Sequence, residues 1–198
     1  MTLPGGSELT VYAACADDLP AVMELHETCS ARSRHWRYLS GAVPSPARLR
    51  RLLEPARGVT LLAAAGDGAM AAVVAMANLI AEGDQAEAAL LVRDDWQRHG
   101  LGSTLLVWLL GLASSGGYAA LVLHMHAENT PMLRTVRRLD RAALTERDGA
   151  FLTFTVPVAA TGPKAALVRR RPTPVRLSRP AEPTQRQPAS GPTGRGTA

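Results

Sequence analysis

Residues 88–106 read AALLVRDDWQRHGLGSTLL, and this segment is the most informative part of the chain. The apolar residues 88–92 predict a short strand, and the apolar residues from 103 to 113 predict a helix. A polar turn with two glycines joins them. A strand that passes into a helix through glycines points several backbone N–H groups into one concavity at the positive end of the helix. The segment therefore predicts a binding site for phosphate or pyrophosphate.

Two other phosphate-binding motifs fit this segment poorly. The dinucleotide-binding fingerprint has three glycines and an acidic residue about 20 positions further on, whereas this turn has only Gly100 and Gly102. A P-loop requires Gly-Lys-Ser/Thr, which does not follow here. A plain strand-to-helix turn without a ligand remains an alternative.

The segment resembles the acetyl-CoA-binding motif of the GNAT acetyltransferase family, Gln/Arg-x-x-Gly-x-Gly/Ala, which residues 97–102 match. Residues 127–133, AENTPML, resemble the Glu-Asn-x-Pro-Met segment that follows the fifth strand in many bacterial members. The resemblance spans residues 9–158. It implies a bacterial acyltransferase that moves an acetyl group from acetyl-CoA to a primary amine, on a protein lysine or a small molecule.

The length of 198 residues and the hydrophobic content of 46% are typical of one globular domain with a tail. Strands are predicted at 9–13, 59–65, 70–80, 88–92, 119–126 and 151–156, with helices at 17–30, from 45, at 103–113 and at 131–139. Residues 32–40 are expected to be a polar loop. The order β-α-α-β-β-β-α-β-α-β-β is the one that the GNAT resemblance implies. It predicts an α/β domain over residues 9–159, with one mixed sheet and helices on both faces.

Residues 160–198 differ in composition from the rest of the chain. They hold seven prolines and eight cations but only one acidic residue, Glu182, which predicts a disordered basic tail. Residues 1–8 are predicted to be a flexible N-terminus. The tail carries a net charge of +7 and the rest −2, so the basic pI is a property of the tail. It does not indicate nucleic-acid binding by the folded domain, although weak contact through the tail remains open.

No segment has the pattern of a signal peptide or a membrane span. The start, MTLPGG, lacks a charged region, and the longest apolar run, residues 70–80, is short and contains Asn78. A cytoplasmic enzyme without membrane contact is expected. Cys15 and Cys29 are expected to be buried free thiols, with a disulfide as the alternative. The sequence does not indicate the oligomeric state.

The resemblance assigns a cofactor site to the loop and the strand before it. The backbone N–H groups of seven residues would bind the pyrophosphate of acetyl-CoA: Gln97, Arg98, His99, Gly100, Leu101, Gly102 and Ser103. The pantetheine arm would pair with the strand near Leu91 and Val92, and one of these two amides would bind the oxyanion. Asn129 would contact the arm or cap the next helix.

Glu87 is the candidate general base, because it matches the Ala-Glu-x-Ala pattern of bacterial protein-acetyltransferase domains. A solvated glutamate at the start of a strand is the alternative. His124 and His126 share one face of their strand, so either could act as a base or reach the substrate. With no third ligand at suitable spacing, they do not predict a metal site. His26 is predicted to pack on a helix face.

Residues 32–38 would line the acceptor site in the family, and their three arginines and two aromatic rings would suit an acidic or planar acceptor. The alternative is a polar loop with buried rings. The chain departs from the family at Val136, where many members carry a tyrosine general acid, and at residues 139–141, Leu-Asp-Arg in place of Leu-Gly-Phe. These departures support a second hypothesis, a non-catalytic GNAT module that binds acyl-CoA as a sensor or scaffold while its tail docks an acidic partner.

Overall fold

The computed structural model describes residues 9–66, 71–140 and 143–158, together with the backbone of residues 6–8 and of Leu177–Arg179. The strands are β1 (Gly6–Ala13), β2 (Gly58–Ala65), β3 (Ala72–Glu82), β4 (Gln85–Val92), β5 (Ala120–His126), β6 (Leu144–Asp148), β7 (Phe151–Pro157) and β8 (Leu177–Arg179). The helices are α1 (Leu19–Thr28), α2 (Ala31–Tyr38), α3 (Pro46–Leu53), α4 (Leu101–Ser115) and α5 (Thr130–Leu139).

The strands form one sheet in the order β6-β7-β5-β4-β3-β2-β1, which the three-residue β8 extends beside β1. Strands β4 and β5 are parallel, and the other described neighbours are antiparallel. The predicted α/β fold with a mixed sheet is therefore confirmed.

Two apolar clusters cover the two faces of the sheet. On one face α4 buries Leu101, Leu105 and Leu109 against strand residues such as Ala88. On the other face α1 and α3 bury an apolar surface against the sheet, made by Val22, Leu25, Cys29, Leu49 and Leu53. His26 is fully buried on α1, as predicted. Helices on both faces are also confirmed, so the sheet is the middle of three layers.

Helix α2 replaces the expected polar loop. The Ser30 hydroxyl accepts a hydrogen bond from the Ser33 N–H at 3.2 Å, which is an N-cap. The carboxylate of Asp94 also accepts from the Ser30 N–H at 2.8 Å and from the Ser33 hydroxyl at 2.9 Å. Asp94 lies 64 residues from Ser30, so this second cap is supplied by the tertiary fold.

Several expectations fall at or beyond the limits of the described residues. Strand β1 begins at Gly6, inside the segment 1–8 that was expected to be flexible, and residues 1–5 lie outside the described part. Of the tail predicted to be disordered, only Leu177–Arg179 is described, and its backbone pairs with β1. Of residues 66–69, which join the strands predicted at 59–65 and 70–80, only Gly66 is described.

Both cysteines, Cys15 and Cys29, are free. Burial raises the pKa of the Cys29 thiol to about 12, and the nearby charge of Asp94 acts in the same direction. Cys15 is only half-buried, so the expectation of a buried thiol is met at Cys29 alone.

Within the described residues, every helix is too short or too polar to cross a lipid bilayer.

Candidate functional site

A cleft opens where β4 and β5 separate. Their pairing ends at Glu87 opposite Val122, although β4 continues to Val92 and β5 to His126. The space between them has a volume of about 650 Å³. Its lining includes residues of α2 on one face of the sheet and of α5 on the other, so the cleft passes through the sheet.

The free edge of β4 presents two backbone amides to this cleft. The Arg93 N–H donates to the Val74 carbonyl of β3 at 2.9 Å. Because strand N–H groups alternate in direction, the Leu91 N–H also faces β3, whereas those of Leu90 and Val92 face the cleft. The Val92 carbonyl supports this direction for the Val92 N–H, because the two groups of one strand residue point to the same side. This carbonyl accepts from Gln97 Nε2 at 2.9 Å and therefore points away from β3. The expectation for Val92 fits this geometry, and the one for the Leu91 amide does not.

The side chains of these residues follow the same alternation. Leu91 is buried against α1 and α3 in the second cluster, while Val92 packs on the α4 side. Both contribute to the lining of the cleft.

The loop after β4 enters α4 through two left-handed residues, Arg98 at φ 65° and Gly100 at φ 87°. Glycine adopts positive φ without steric cost, so it suits position 100, whereas Arg98 adopts this conformation with a side chain. Gly100 is the N-cap and has no side chain with which to cap the helix. The N–H groups of Leu101, Gly102 and Ser103 therefore have no intrahelical partner and lie at the positive end of the helix dipole.

Gly102 keeps one wall of the cleft free of a side chain. A Cβ built on it would lie 3.8 Å from Val92 Cγ2, which is an ordinary contact, and its φ is not in the left-handed region. The fold itself would therefore accept a side chain at this position. What glycine provides here is close access of a ligand to the backbone at the start of α4.

The cleft is positively charged. Its lining holds five arginines, Arg32, Arg37, Arg98, Arg134 and Arg138, and a single acidic residue, Asp94. The Asp94 carboxylate is already engaged by Ser30 and Ser33. Partial burial raises the pKa of Asp94, but these hydrogen bonds together outweigh it, so the pKa lies below its usual value. Such a surface suits an anionic ligand.

The remaining residues predicted for the cofactor site divide into three groups. Gln97 and Ser103 line the cleft, and Gln97 Nε2 also donates to the Ser33 hydroxyl at 2.9 Å, which ties the loop to α2. His99 is exposed outside the cleft and Leu101 is buried in the core, so each could contribute only its backbone. Asn129 lines the cleft and its Oδ1 accepts from the Met132 N–H at 3.3 Å, capping α5.

The two catalytic candidates share the α2 face of the sheet. Glu87 is half-buried at the last position of β4 that pairs with β5, and it is not among the residues that line the cleft. His124 lies two residues beyond Val122, the partner of Glu87. It is exposed, lines the cleft, and has Nδ1 3.0 Å from the Thr153 hydroxyl. In the described part of the chain, no three His, Cys, Asp or Glu side chains form a group that could hold a metal ion.

Sequence reasoning missed the arginines of α5. Arg134 and Arg138 are both exposed and line the cleft one helical turn apart. Their i, i+4 spacing after Asn129 was the available signal. Residues 32–38 were expected near the acceptor, and Arg32, Trp36 and Arg37 do line the cleft, from a helix. Val136, which stands where a tyrosine is frequent, is fully buried in the core.

A family model described as the acetyltransferase (GNAT) family matches residues 19–140. The chain belongs to the GNAT acetyltransferase family. The family resemblance seen in the sequence is thereby confirmed. No protein of curated function matches the sequence.

Solved structures of GNAT proteins share the fold. The GNAT domain of S. lividans PAT has a TM-score of 0.65 and 20% identity, covering 75% of this chain and 89% of that one. The ribosomal-protein-S18-alanine N-acetyltransferase from Escherichia coli has a TM-score of 0.61 and 20% identity, covering 78% and 96%. The protein yncA from Salmonella typhimurium, solved with its cofactor acetyl-CoA, has a TM-score of 0.59 and 17% identity, covering 80% of this chain and 98% of that one.

Proposed function

We propose that this GNAT protein is an N-acetyltransferase of the bacterial protein-acetyltransferase-like branch. It would move the acetyl group of acetyl-CoA directly onto a primary amine, on a protein lysine or a small molecule. The observation that carries this proposal is the cleft between β4 and β5, which ends at the uncapped N-terminus of α4. The segment Ala86-Glu87-Ala88-Ala89, which matches the Ala-Glu-x-Ala pattern, supports the branch. The fold is also similar to that of the GNAT domain of S. lividans PAT.

The residues of the loop fit the anionic end of acetyl-CoA. The N–H groups of Leu101, Gly102 and Ser103 would donate to the pyrophosphate, and the open position at Gly102 leaves room for it. Arg98, Arg134 and Arg138 supply positive charge along the same mouth of the cleft. Acetyl-CoA is a co-substrate here, and the proposal involves no metal.

The free edge of β4 fits the pantetheine arm and the reacting carbonyl. The amides of Leu90 and Val92 face the cleft, so the arm would pair with them as an added strand. One of the two N–H groups would donate to the carbonyl oxygen as it becomes an oxyanion. This replaces Leu91 by Leu90 in the pair of candidate donors.

The amine must lose a proton to attack the thioester. Glu87 would accept that proton, and because it is not part of the cleft lining it would act through one water molecule. The amine nitrogen then bonds to the acetyl carbon, and the carbon–sulfur bond breaks with its electron pair on sulfur. The CoA thiolate takes a proton from water, since the buried Val136 offers no acidic hydrogen.

Replacing Glu87 tests this mechanism. We expect Glu87→Gln to lower kcat for acetyl transfer about 100-fold, because a neutral amide cannot accept the proton. The dissociation constant of acetyl-CoA should change less than about twofold, since Glu87 lies outside the cofactor end of the cleft. Release of the CoA thiol, followed with an amine panel and compared with calorimetric binding of acetyl-CoA, separates these two quantities.

The matched control is Glu82→Gln, the same change at an exposed residue at the end of β3. It should leave both turnover and binding unchanged. Equal turnover of the Glu87→Gln and unmodified proteins would overturn the role of Glu87.

Two observations favour a second candidate function, a non-catalytic module that binds acyl-CoA. Val136 is buried where many relatives have tyrosine, and Glu87 lies behind the lining of the cleft. Binding of acetyl-CoA without acetylation of any amine in the panel would favour this sensor or scaffold function. In that case the tail would be tested with an acidic partner.

A further inference from the structure

Arg37 is an unusual feature of the α2 wall. Its side chain is half-buried and lines the cleft. Nη2 donates to Asn78 Oδ1 at 2.6 Å. Nε is buried and has no hydrogen-bond partner in the described part of the chain. A buried guanidinium N–H without an acceptor is costly unless a ligand supplies one.

The guanidinium of Arg37 is held in place from two sides. Its partner Asn78 donates from Nδ2 to the Thr60 hydroxyl at 2.6 Å and to the Leu52 carbonyl at 3.3 Å. The guanidinium also lies over the ring of Tyr38, 4.6 Å from its centre. A cation fixed by packing and hydrogen bonds is prepared for a ligand before it arrives.

Tyr38 is itself fixed by His26. His26 Nδ1 lies 2.6 Å from the Val22 carbonyl, which can only accept, so Nδ1 carries the proton. Nε2 of the neutral ring then accepts from the Tyr38 hydroxyl at 2.6 Å. Burial lowers the pKa of His26, which keeps this ring neutral and the arrangement intact at neutral pH.

Arg37 has no carboxylate partner among the described residues. The ion pair within 4.0 Å in this part of the chain joins Arg93 and Asp95 instead. Burial lowers the pKa of Arg37, and the nearby Tyr38 side chain and the negative charge of Glu87 oppose that shift. An arginine nevertheless remains charged at neutral pH. The cleft thus contains a positive charge that no acidic side chain of the described chain pairs directly.

Arg37 lies close to the proposed position of the acceptor amine. Asn78 lies opposite Ala89 in the register of β3 and β4, so Arg37 lies over β4 near Ala89. Ala89 stands between Glu87 and the cleft-facing amides of Leu90 and Val92. An acceptor amine placed between the base and the thioester would bring its nearest substituent against Arg37.

We propose that the acceptor carries a carboxylate close to the amine that is acetylated, and that Arg37 binds this carboxylate. The inference rests on the proposed acetyl transfer, because that function defines where the amine sits. Arg32, which lies 4.4 Å above the ring of Trp36 on the same wall, adds a second positive charge at this mouth. A small amino acid and a lysine beside an acidic residue would both supply this chemistry.

Binding to the full chain saturated with CoA tests the proposal without turnover. The probes are ω-amino acids from glycine to ε-aminocaproate, each beside its amide, and lysine peptides that differ only by Asp or Asn next to the lysine. We expect at least one acid to bind about tenfold more tightly than its amide, because the charged pair is lost in the amide. The source is a small molecule if the amino acids show this preference, and a protein if only the peptides do.

The variant Arg37→Gln should reduce this preference to about twofold or less while CoA still binds. Arg48→Gln is the matched control, since Arg48 also lies over the Tyr38 ring, at 5.4 Å, but is exposed and outside the cleft. It should keep the preference. Equal binding of all acids and amides, no binding of any acid, or a preference that survives Arg37→Gln would overturn the inference. Failure of CoA itself to bind would instead contradict the proposed function.

Discussion

The variant Gly102→Glu should lose acetyl-CoA binding by a factor of about 1,000 or more while remaining folded. The backbone of Gly102 lies at the start of α4, where the N–H groups have no intrahelical partner and no side-chain cap. A glutamate there would place its own carboxylate in the position proposed for the pyrophosphate, and the two negative charges would repel. The fold tolerates the substitution because the new Cβ would meet only Val92 Cγ2, at 3.8 Å. Calorimetric titration with acetyl-CoA measures the loss.

The same helix supplies the control for this variant. Gly111 lies in α4, is exposed, and has nothing within 4 Å of an added Cβ. Gly111→Glu therefore introduces the same charge away from the cleft and should bind acetyl-CoA as the unmodified protein does. Tight binding by Gly102→Glu would show that the pyrophosphate lies elsewhere.

The variant Gly58→Ala should be destabilised by about 4 kcal/mol, which is a large effect for one methyl group. Gly58 begins β2 with φ 145°, and a Cβ there would lie 2.0 Å from the Leu79 carbonyl oxygen and 3.0 Å from the Ile80 Cα. Both are backbone atoms of the paired strand β3, so relief requires the first pair of the ladder to separate. Urea unfolding followed by circular dichroism measures the free energy of unfolding.

Gly83→Ala separates the two causes of this loss, which are the left-handed backbone and the clash of the new Cβ with β3. Gly83 also has a positive φ, 61°, but nothing lies within 4 Å of its added Cβ. This control should lose only about 1 kcal/mol, the cost of a left-handed alanine. A loss at Gly58 no larger than that at Gly83 would contradict the close approach of β2 and β3.

Local sequence patterns were sufficient for six strands of the sheet and four of the helices, but they did not predict β6 or β8. The glycines of the loop are informative because Gly100 needs a left-handed backbone and Gly102 leaves space at the helix start. Both requirements are local and therefore readable from residue type. The apolar faces of α1 and α3 are readable for the same reason, since helical periodicity alone specifies which residues are buried.

Features that depend on the tertiary fold could not be predicted in this way. Helix α2 takes part of its cap from Asp94, and no short-range pattern reports a partner 64 residues away. The direction of each β4 amide depends on the register with β3, so the choice between Leu90 and Leu91 needed the Arg93 to Val74 hydrogen bond. The unpaired Nε of Arg37 likewise follows from the packing of α2 on β3 and β4.

In the function proposed above, acetyl-CoA occupies the opening between β4 and β5 and pairs with the β4 edge. Amide hydrogen exchange of the full chain, measured by NMR with and without acetyl-CoA, tests it residue by residue. We expect acetyl-CoA to slow exchange at Leu90 and Val92 about tenfold more than at Leu91, whose N–H already faces β3. Bound acetyl-CoA that leaves Leu90 and Val92 exchanging as before would contradict the claim.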